Sequence, residues 1–250
     1  MTRALKVAFE LARAHPLVLC LVHRAGLMGA LGAYGRMAAE QGLMAFVAQR
    51  TRPIMSLSGI PAIGNNPLAF GAPVPGAAPL VFDMACSVAA RMKVELAARE
   101  CAPIASGWAL DRSGAPTTDA QAALGGALLP LGDHKGLGLA MLVECLTRGL
   151  ASDHLAVDYD DAAVVSGTAL ILNPARIVGR DAYESRMTEW TSRYTDAVTD
   201  SPARLPGVNA ESRLARMRST GVPLSRTSVD CLAEAARMAG IGIALRPKAE

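Results

Sequence analysis

The sequence predicts an α/β fold in which a mixed sheet is flanked by helices and followed by a helical C-terminal tail. The composition is 51% hydrophobic and 19% charged, which is typical of a globular protein with a core. In the first third of the chain, short apolar runs alternate with segments of helical periodicity. After residue 180 only helical patterns remain, which places the tail at the C-terminus.

The N-terminal elements follow the order helix, strand, helix, strand. Leu5, Ala8, Phe9 and Ala12 recur at helical spacing, and Pro16 ends that pattern. A continuous apolar run then indicates a buried strand. The predicted elements are helix 3–14, strand 17–22, helix 30–41 and strand 43–49.

The centre is rich in proline and glycine and is predicted to be mostly loop, and the C-terminal part mostly helix. Residues 137–150 are apolar on nearly every face, which predicts a deeply buried helix. We predict two domains, a core over residues 1–195 and a helical segment over 196–250 that packs back on it. The remaining predicted elements are strands 68–72, 79–83 and 169–172, a turn at 111–114, and helices 88–100, 181–197, 209–219 and 228–239.

Charge, aromatic content and cysteine usage exclude several classes of protein. The net charge is only +3, no basic run is present, and aromatics make up 4%, so nucleic acid is not an expected partner. The apolar stretches are too short to span a bilayer. Five scattered cysteines with no C-x-x-C pair predict reduced thiols and a cytoplasmic protein. His154 lies among aspartates at 153–161 without a metal-ligand spacing, so no metal is predicted.

A glycine-rich segment from Gly26 to Gly32 lies between a predicted strand and a helix. This is the arrangement of a Rossmann dinucleotide site, and Arg50 and Arg52 after the next strand would then favour NADP. However, the spacing is G-x-x-G-x-x-G, whereas the fingerprint needs G-x-G-x-x-G for the pyrophosphate to approach the backbone. A loop with close helix packing is the preferred interpretation, and the Rossmann enzyme stays as the lowest-ranked alternative.

Two other turns are better candidates for binding an anion. Residues 83–87 join a strand to a helix, and Ser87 is a suitable N-cap for a helix starting near Val88. Residues 132–136 precede the apolar helix, and His134 and Lys135 supply donors there. Free amides at a helix N-terminus favour a phosphate. The alternatives are an ordinary capped helix at the first turn, and a solvated lysine with a satisfied histidine at the second.

Several segments together resemble the type-2 malate/L-lactate dehydrogenase family, which includes ketoacid and cyclic-imine reductases. Each motif alone is modest, but their order and spacing agree from about residue 4 to the C-terminus. The segments are residues 64–70 (GNNPLAF), 83–87 (DMACS), 107–111 (GWALD), 116–119 (PTTD), 130–139 (PLGDHKGLGL), Glu144, 205–207 (LPG) and 221–222 (GV).

The resemblance implies a non-Rossmann fold that binds NAD or NADP and works as a homodimer. It also implies hydride transfer between the nicotinamide and C2 of a small 2-hydroxy acid or 2-keto acid, or reduction of a related imine. Carried over by position, the residues that would line the cofactor are Asp83, Met84, Ala85, Cys86, Ser87, His134, Lys135 and Gly207.

Departures from the family pattern put turnover in doubt. The family's Ser-His-Gly motif, which carries an acid–base histidine, and its nearby arginine do not occur in the sequence, so we expect the N-terminal segment to be missing. Leu27 stands where the family keeps a second histidine. Other departures are Asn65, Cys86, Met92 and Val208. An oxidoreductase and an inactive dinucleotide-binding remnant are therefore both carried forward.

Overall fold

The computed structural model describes residues 1–26, 28–150, 165–201 and 203–242. The chain forms two compact units, Met1–Pro206 and Gly207–Glu250. The helices are α1 (Thr2–Ala14), α2 (Gly32–Ala39), α3 (Arg91–Arg99), α4 (Ala120–Gly125), α5 (His134–Thr147), α6 (Pro174–Ile177), α7 (Arg180–Ala197), α8 (Val208–Thr220) and α9 (Arg226–Met238). The strands are β1 (Leu17–Ala25), β2 (Met44–Gln49), β3 (Leu68–Ala72), β4 (Leu80–Met84), β5 (Ala109–Leu110), β6 (Pro116–Thr117), β7 (Ala127–Leu128) and β8 (Val165–Leu172).

The main sheet has five strands in the order β1-β8-β2-β3-β4, and each neighbouring pair is antiparallel. The α/β class with flanking helices and the non-Rossmann fold are confirmed, but the main sheet is wholly antiparallel and not mixed as predicted. A Rossmann sheet is built from parallel strands, so the dinucleotide fingerprint interpretation of the glycine-rich segment is wrong. Pairing places Leu172 opposite both Leu17 and Met44 at one end of the sheet. At the other end, Leu68 pairs with Met84.

The two faces of the sheet carry different helices, as strand β2 shows. Ala45 and Val47 belong to the apolar cluster that also contains residues of α1 and α2. Phe46 and Ala48 belong to the cluster that includes residues of α5. Because successive strand side chains point to opposite faces, α1 and α2 cover one face and α5 covers the other.

Helix α2 approaches strand β3 closely, and two glycines make this possible. A Cβ at Gly71 would lie 2.1 Å from the carbonyl oxygen of Gly35, and a Cβ at Gly35 would lie 2.9 Å from the amide nitrogen of Gly71. No side chain fits at such distances, so the helix and strand backbones pack directly against each other.

A smaller three-stranded sheet, β6-β5-β7, lies with α3 and α4 around a third apolar cluster. Its strands have two residues each, which is too short for a periodic pattern. The sequence therefore predicted the turn at 111–114 and none of these three strands, whereas α3 lies within the predicted helix 88–100. Asp111 closes that turn by accepting the amides of Ser113 and Ala115.

The predicted deep burial of the apolar helix is wrong. α5 buries a single stripe formed by Gly136, Ala140, Val143 and Thr147. On another face, Met141 is 56% and Leu142 45% exposed.

The second compact unit contains α8 and α9, as predicted. α8 buries none of its side chains, and α9 buries Ala236. The predicted domain boundary at residues 195/196 falls within α7, whereas the first compact unit ends at Pro206 in the sequence. The packing of the tail on the core stays a prediction. No helix in the described ranges is long and apolar enough to cross a membrane.

Candidate functional site

The two turns that the sequence selected as anion sites lie in contact with each other. The amide of Leu131 donates to the carbonyl of Cys86 over 2.8 Å, and the amide of Val88 donates to the carbonyl of Leu129 over 2.8 Å. Ser87 and Pro130 form the antiparallel bridge between these bonds. The turns therefore form one surface, as a shared ligand would require.

Gly136 allows this contact. A Cβ at this position would lie 2.4 Å from the carbonyl oxygen of Cys86 and 2.6 Å from the amide nitrogen of Leu131. Both of these atoms belong to backbone and cannot swing away. The first turn of α5 thus packs directly on the neighbouring turn.

Several amides in the two turns already have protein acceptors. The amide of Cys86 donates to Asn65, that of Asp133 to Pro130, and that of Gly136 to Leu131. These amides are not free for a phosphate. A phosphate at these turns could therefore be bound only by their other amides and by exposed side chains.

Ser87 does not cap a helix, so that prediction is wrong. α3 begins at Arg91, and its N-cap is Ala90. The Ser87 hydroxyl is buried and donates to the carbonyl of Ala89 over 2.7 Å. Sequence pattern misplaced the helix start because a helical composition over 88–100 does not fix its first residue.

Cys86 points inward from the same turn. Its thiol is fully buried and donates to the carbonyl of Asn66 over 3.1 Å. Burial raises the pKa of the Cys86 thiol to about 11. The thiol is therefore an inert structural donor, and a ligand could meet only the backbone at this position.

Asp83 has a partner within the protein. One of its carboxylate oxygens accepts the amide of Gly32 over 2.7 Å, at the N-terminus of α2. An acid at this end of a helix is stabilised by the helix dipole. The anion at the end of the glycine-rich segment is thus the protein's own Asp83, which also removes the site that a Rossmann phosphate would occupy.

The second turn presents its polar groups outward. α5 begins at His134, three residues earlier than predicted, so His134 and Lys135 lie in its first turn and are exposed. The backbone before them is strained at Asp133, where φ is 51°, and follows Gly132, where glycine accommodates a φ of 57°. A left-handed conformation at a non-glycine residue is costly and is concentrated at functional sites.

A polar network lies beneath the turns. Asn66 is fully buried at φ 27°, and its amide group donates to the carbonyl of Ala140 and to Oε1 of Glu144, each over 3.0 Å. Asn66 also accepts the amide of Thr51. Arg50 and Glu144 form an ion pair at 3.3 Å, with side chains 8% and 19% exposed. The network joins β2, the loop after residue 64 and α5.

The sequence did not single out this network as part of the site. Arg50 and Glu144 are 94 positions apart, and only the fold brings them together. The available signal was Glu144 itself, the one acid of α5, within a stretch of mostly apolar residues. Such an acid needs a partner once it is buried.

Three further expectations concern other parts of the chain. Gly207 belongs to the second unit, where it precedes α8 with φ 99°. Leu27 and the acidic cluster around His154 lie outside the described residues. Within the described ranges, no group of three or more His, Cys, Asp or Glu side chains is arranged to hold a metal ion.

Comparison of the sequence with known proteins identifies related dehydrogenases and reductases. The family model described as malate/L-lactate dehydrogenase matches residues 1–233. A (2R)-3-sulfolactate dehydrogenase (NADP(+)) of Chromohalobacter salexigens is 34% identical over 92% of this chain and 70% of its own length. A Delta(1)-pyrroline-2-carboxylate/Delta(1)-piperideine-2-carboxylate reductase of Pseudomonas aeruginosa is 35% identical over 86% of this chain and 66% of its own.

Solved structures agree with these relatives. The delta1-piperideine-2-carboxylate reductase from Pseudomonas syringae pvar. tomato superposes with a TM-score of 0.80 at 31% identity, covering 93% of this chain and 72% of that one. A dehydrogenase from Sinorhizobium meliloti gives a TM-score of 0.80 at 30% identity, over 94% and 71% of the two chains. The chain therefore belongs to the malate/L-lactate dehydrogenase family.

Proposed function

We propose that this chain is an NAD- or NADP-dependent oxidoreductase that interconverts a small 2-hydroxy acid and its 2-keto acid or reduces a related cyclic imine. The observation that carries the proposal is the contact between the turns at residues 83–87 and 130–136, which presents His134 and Lys135 on one surface. The relatives support the choice of reaction, because their names describe a sulfolactate dehydrogenase and cyclic-imine carboxylate reductases.

The residues at the second turn fit the phosphate part of a dinucleotide. Lys135 offers an ammonium group and His134 an imidazole, both exposed in the first turn of a helix of 14 residues. The dipole of such a helix favours negative charge at this end. Charge-assisted hydrogen bonds from these donors would bind and orient the phosphates.

The first turn has a different part in the proposal. The backbone of Met84 and Ala85 would line the cofactor, since Cys86 and Ser87 are buried and the Asp83 carboxylate accepts the amide of Gly32. Gly207 is proposed as a further cofactor contact on the strength of the resemblance alone. When bound, the nicotinamide supplies or accepts the hydride; the residues described here hold and orient it.

A second candidate function is nucleotide binding without turnover. The resemblance assigns the second family histidine to the position of Leu27, and leucine can neither donate nor accept a proton. Carbonyl reduction needs a proton as well as a hydride. A chain of this kind would keep its cofactor turns and lack one of the acid–base groups.

We also propose that the protein is a cytoplasmic homodimer. The five cysteines are all free thiols, which suits a reducing compartment. Met141 and Leu142 form an exposed apolar face on α5, which a second copy would cover.

Fluorescence titration with NADH and NADPH tests the cofactor site. We expect Lys135→Ala to weaken binding about tenfold, because a charge-assisted bond is lost. Lys6→Ala is the matched control, since Lys6 is equally exposed but lies on α1. Equal affinity of wild type and Lys135→Ala would refute the site.

Turnover separates the two candidate functions. Consumption of the preferred nucleotide should be followed with pyruvate, with oxaloacetate and with Δ1-pyrroline-2-carboxylate. Turnover of any of them by wild type supports the oxidoreductase. Tight nucleotide binding without turnover of any would overturn it in favour of the binding protein.

A further inference from the structure

A cavity of about 530 Å³ lies within the first compact unit, at the end of the main sheet away from the cofactor turns. Leu43, next to the start of β2, and Asn173, next to the end of β8, line it, as does the loop after β3. The proposed cofactor turn lies at the opposite end of β4, after Met84. A strand of this length separates the two regions by roughly 13 Å.

Positive charge dominates the cavity wall. Arg13, Arg176 and Arg180 line it together with one acid, Glu184, and Arg13 is also paired with Glu10 of α1 over 3.0 Å. Such a surplus of guanidinium groups favours a negatively charged ligand, because arginine matches carboxylate geometry with two parallel hydrogen bonds.

Arg176 and Arg180 have partners within the protein that still allow their guanidinium groups to bind an anion. The Nε of Arg176 donates to the carbonyl of Arg13 over 3.0 Å, which fixes the plane of its guanidinium while keeping the full charge. Arg180 lies 3.8 Å from Glu184, at the outer limit of an ion pair, and both side chains are exposed. Such a pair contributes little and is easily exchanged for a ligand.

The cavity also has an apolar floor. Phe9 and Leu43 are almost fully buried beneath it, and the half-buried Pro73, Val74 and Pro75 supply the apolar surface that a ligand could contact. A bare inorganic anion would leave this surface unused. An apolar body attached to the anionic group would cover it and gain from the burial.

Tyr183 completes the wall and adds no negative charge. Its hydroxyl donates to the carbonyl of Pro73 over 3.0 Å, which ties α7 to the loop between β3 and β4. Burial raises the pKa of Tyr183 to about 12, so the phenol stays neutral at physiological pH. Tyr183 therefore adds no negative charge beside the arginines.

We propose that this cavity is a second binding site, distinct from the cofactor turns, for a small organic anion that carries an apolar body, such as an aryl or alkyl carboxylate. The ligand's carboxylate would pair with Arg176 and Arg180, and its apolar part would lie on the Pro73–Pro75 segment. The site does not depend on the proposed oxidoreductase activity.

The test uses the full chain and three probes in calorimetric and saturation-transfer NMR titrations: phenylacetate, its neutral analogue phenylacetamide, and inorganic sulfate. We expect phenylacetate to bind at least about tenfold more tightly than either of the others, since only it offers both charge and apolar surface. Equal binding of sulfate and phenylacetate would overturn the ligand class. No binding of phenylacetate would overturn the site.

Variants locate the binding. The double variant Arg176→Gln/Arg180→Gln should weaken phenylacetate binding about tenfold or more. Arg193→Gln is the matched control, because Arg193 lies on α7 with Arg180 and pairs with Glu189 but does not line the cavity. Thermal melting shows whether each variant is folded. A third variant, Val74→Glu, places a negative charge on the apolar side of the cavity, where it would repel the carboxylate of the probe.

Two outcomes count against the proposal. Unchanged phenylacetate binding in both the double variant and Val74→Glu would place the probe elsewhere. Sedimentation velocity in which wild type is dimeric and the double variant monomeric would make the cavity an interface between copies instead. The affinity for NADH should be the same in wild type and double variant, so failure here is distinguishable from failure of the cofactor site.

Discussion

The two turns that the sequence ranked as possible phosphate sites have opposite characters in the structure. In the turn at residues 83–87, Asp83 accepts an amide of the protein, and Cys86 and Ser87 are buried and hydrogen-bonded to carbonyls. In the turn before α5, His134 and Lys135 are exposed. The first turn is held by hydrogen bonds within the protein, whereas the second exposes polar side chains to a possible ligand. Small residues before a helix are compatible with either role, so the two roles can be told apart only by whether the side chains of the turn are buried.

The largest expected effect comes from removing the charge beneath both turns. Glu144→Gln keeps an oxygen for Asn66 but removes the carboxylate opposite the buried Arg50. We expect unfolding free energy to fall by about 3 kcal/mol, because a buried guanidinium loses that counter-charge. Urea unfolding measures this loss.

The control for that variant is Glu95→Gln. Glu95 pairs with Arg91 on α3 at a similar distance, but both side chains are more exposed. We expect a loss of about 0.5 kcal/mol there. Equal losses in the two variants would show that the buried pair does not support the turns.

The next effect concerns the contact between the turn at residues 83–87 and the turn before α5. Gly136→Ala would bring a methyl group within 2.4 Å of the Cys86 carbonyl, so the turns must separate. We expect a loss of about 2 kcal/mol in unfolding free energy and weaker NADH binding.

Gly138→Ala, two residues along the same helix, is its matched control. Nothing lies within 4 Å of a Cβ at that position. Replacing glycine by alanine in an open helical position should raise stability by about 0.5–1 kcal/mol. A loss at both positions would contradict the close packing of the turns.

A smaller effect tests the inward direction of Cys86. Its folded pKa is raised to about 11 from the ordinary 9.0, so the native state keeps a proton that the unfolded state releases. This contribution to stability is complete below pH 9 and is lost as pH rises toward 11. We expect wild type to lose about 2 kcal/mol more than Cys86→Ala between pH 8 and pH 10.5. If the unfolding free energies of wild type and Cys86→Ala changed equally with pH, the thiol would not be buried away from water.

The smallest effect belongs to the cap at α2. Asp83→Asn keeps an acceptor for Gly32 but removes the charge at the helix N-terminus. A loss of about 0.5–1 kcal/mol is expected in urea unfolding, with NADH affinity unchanged. A variant of full stability with lost NADH binding would instead make Asp83 a direct cofactor contact.

The longer elements could be predicted from sequence because each has its own periodic signal. The strands at 68–72 and 80–84 and the helix at 180–197 lie where pattern predicted them, to within a residue. The two-residue strands β5, β6 and β7 carry no such signal. The pairing of β8 between β1 and β2 depends on contacts more than a hundred residues apart, which local pattern does not contain.

The candidate site was predictable in its location and not in its internal roles. The motif residues led to both turns, which the fold then brought into contact. Which groups face inward depends on where a helix begins: α3 starts after Ser87, and α5 starts at His134. The partnership of Arg50 with Glu144 was likewise beyond local pattern, since it depends on the crossing of α5 and β2.

Glu144, the single acid of α5, bears on which rotation about its own axis this helix adopts during folding. Leucine, methionine and valine occur on several sides of α5, so hydrophobic burial alone would leave a number of rotations about its axis nearly degenerate in free energy. A carboxylate that meets Arg50 and Asn66 in just one of these orientations breaks the degeneracy. We therefore expect Glu144, together with the close contact at Gly136, to favour the orientation that turns Lys135 toward solvent, and a uniformly apolar α5 to sample competing rotational states.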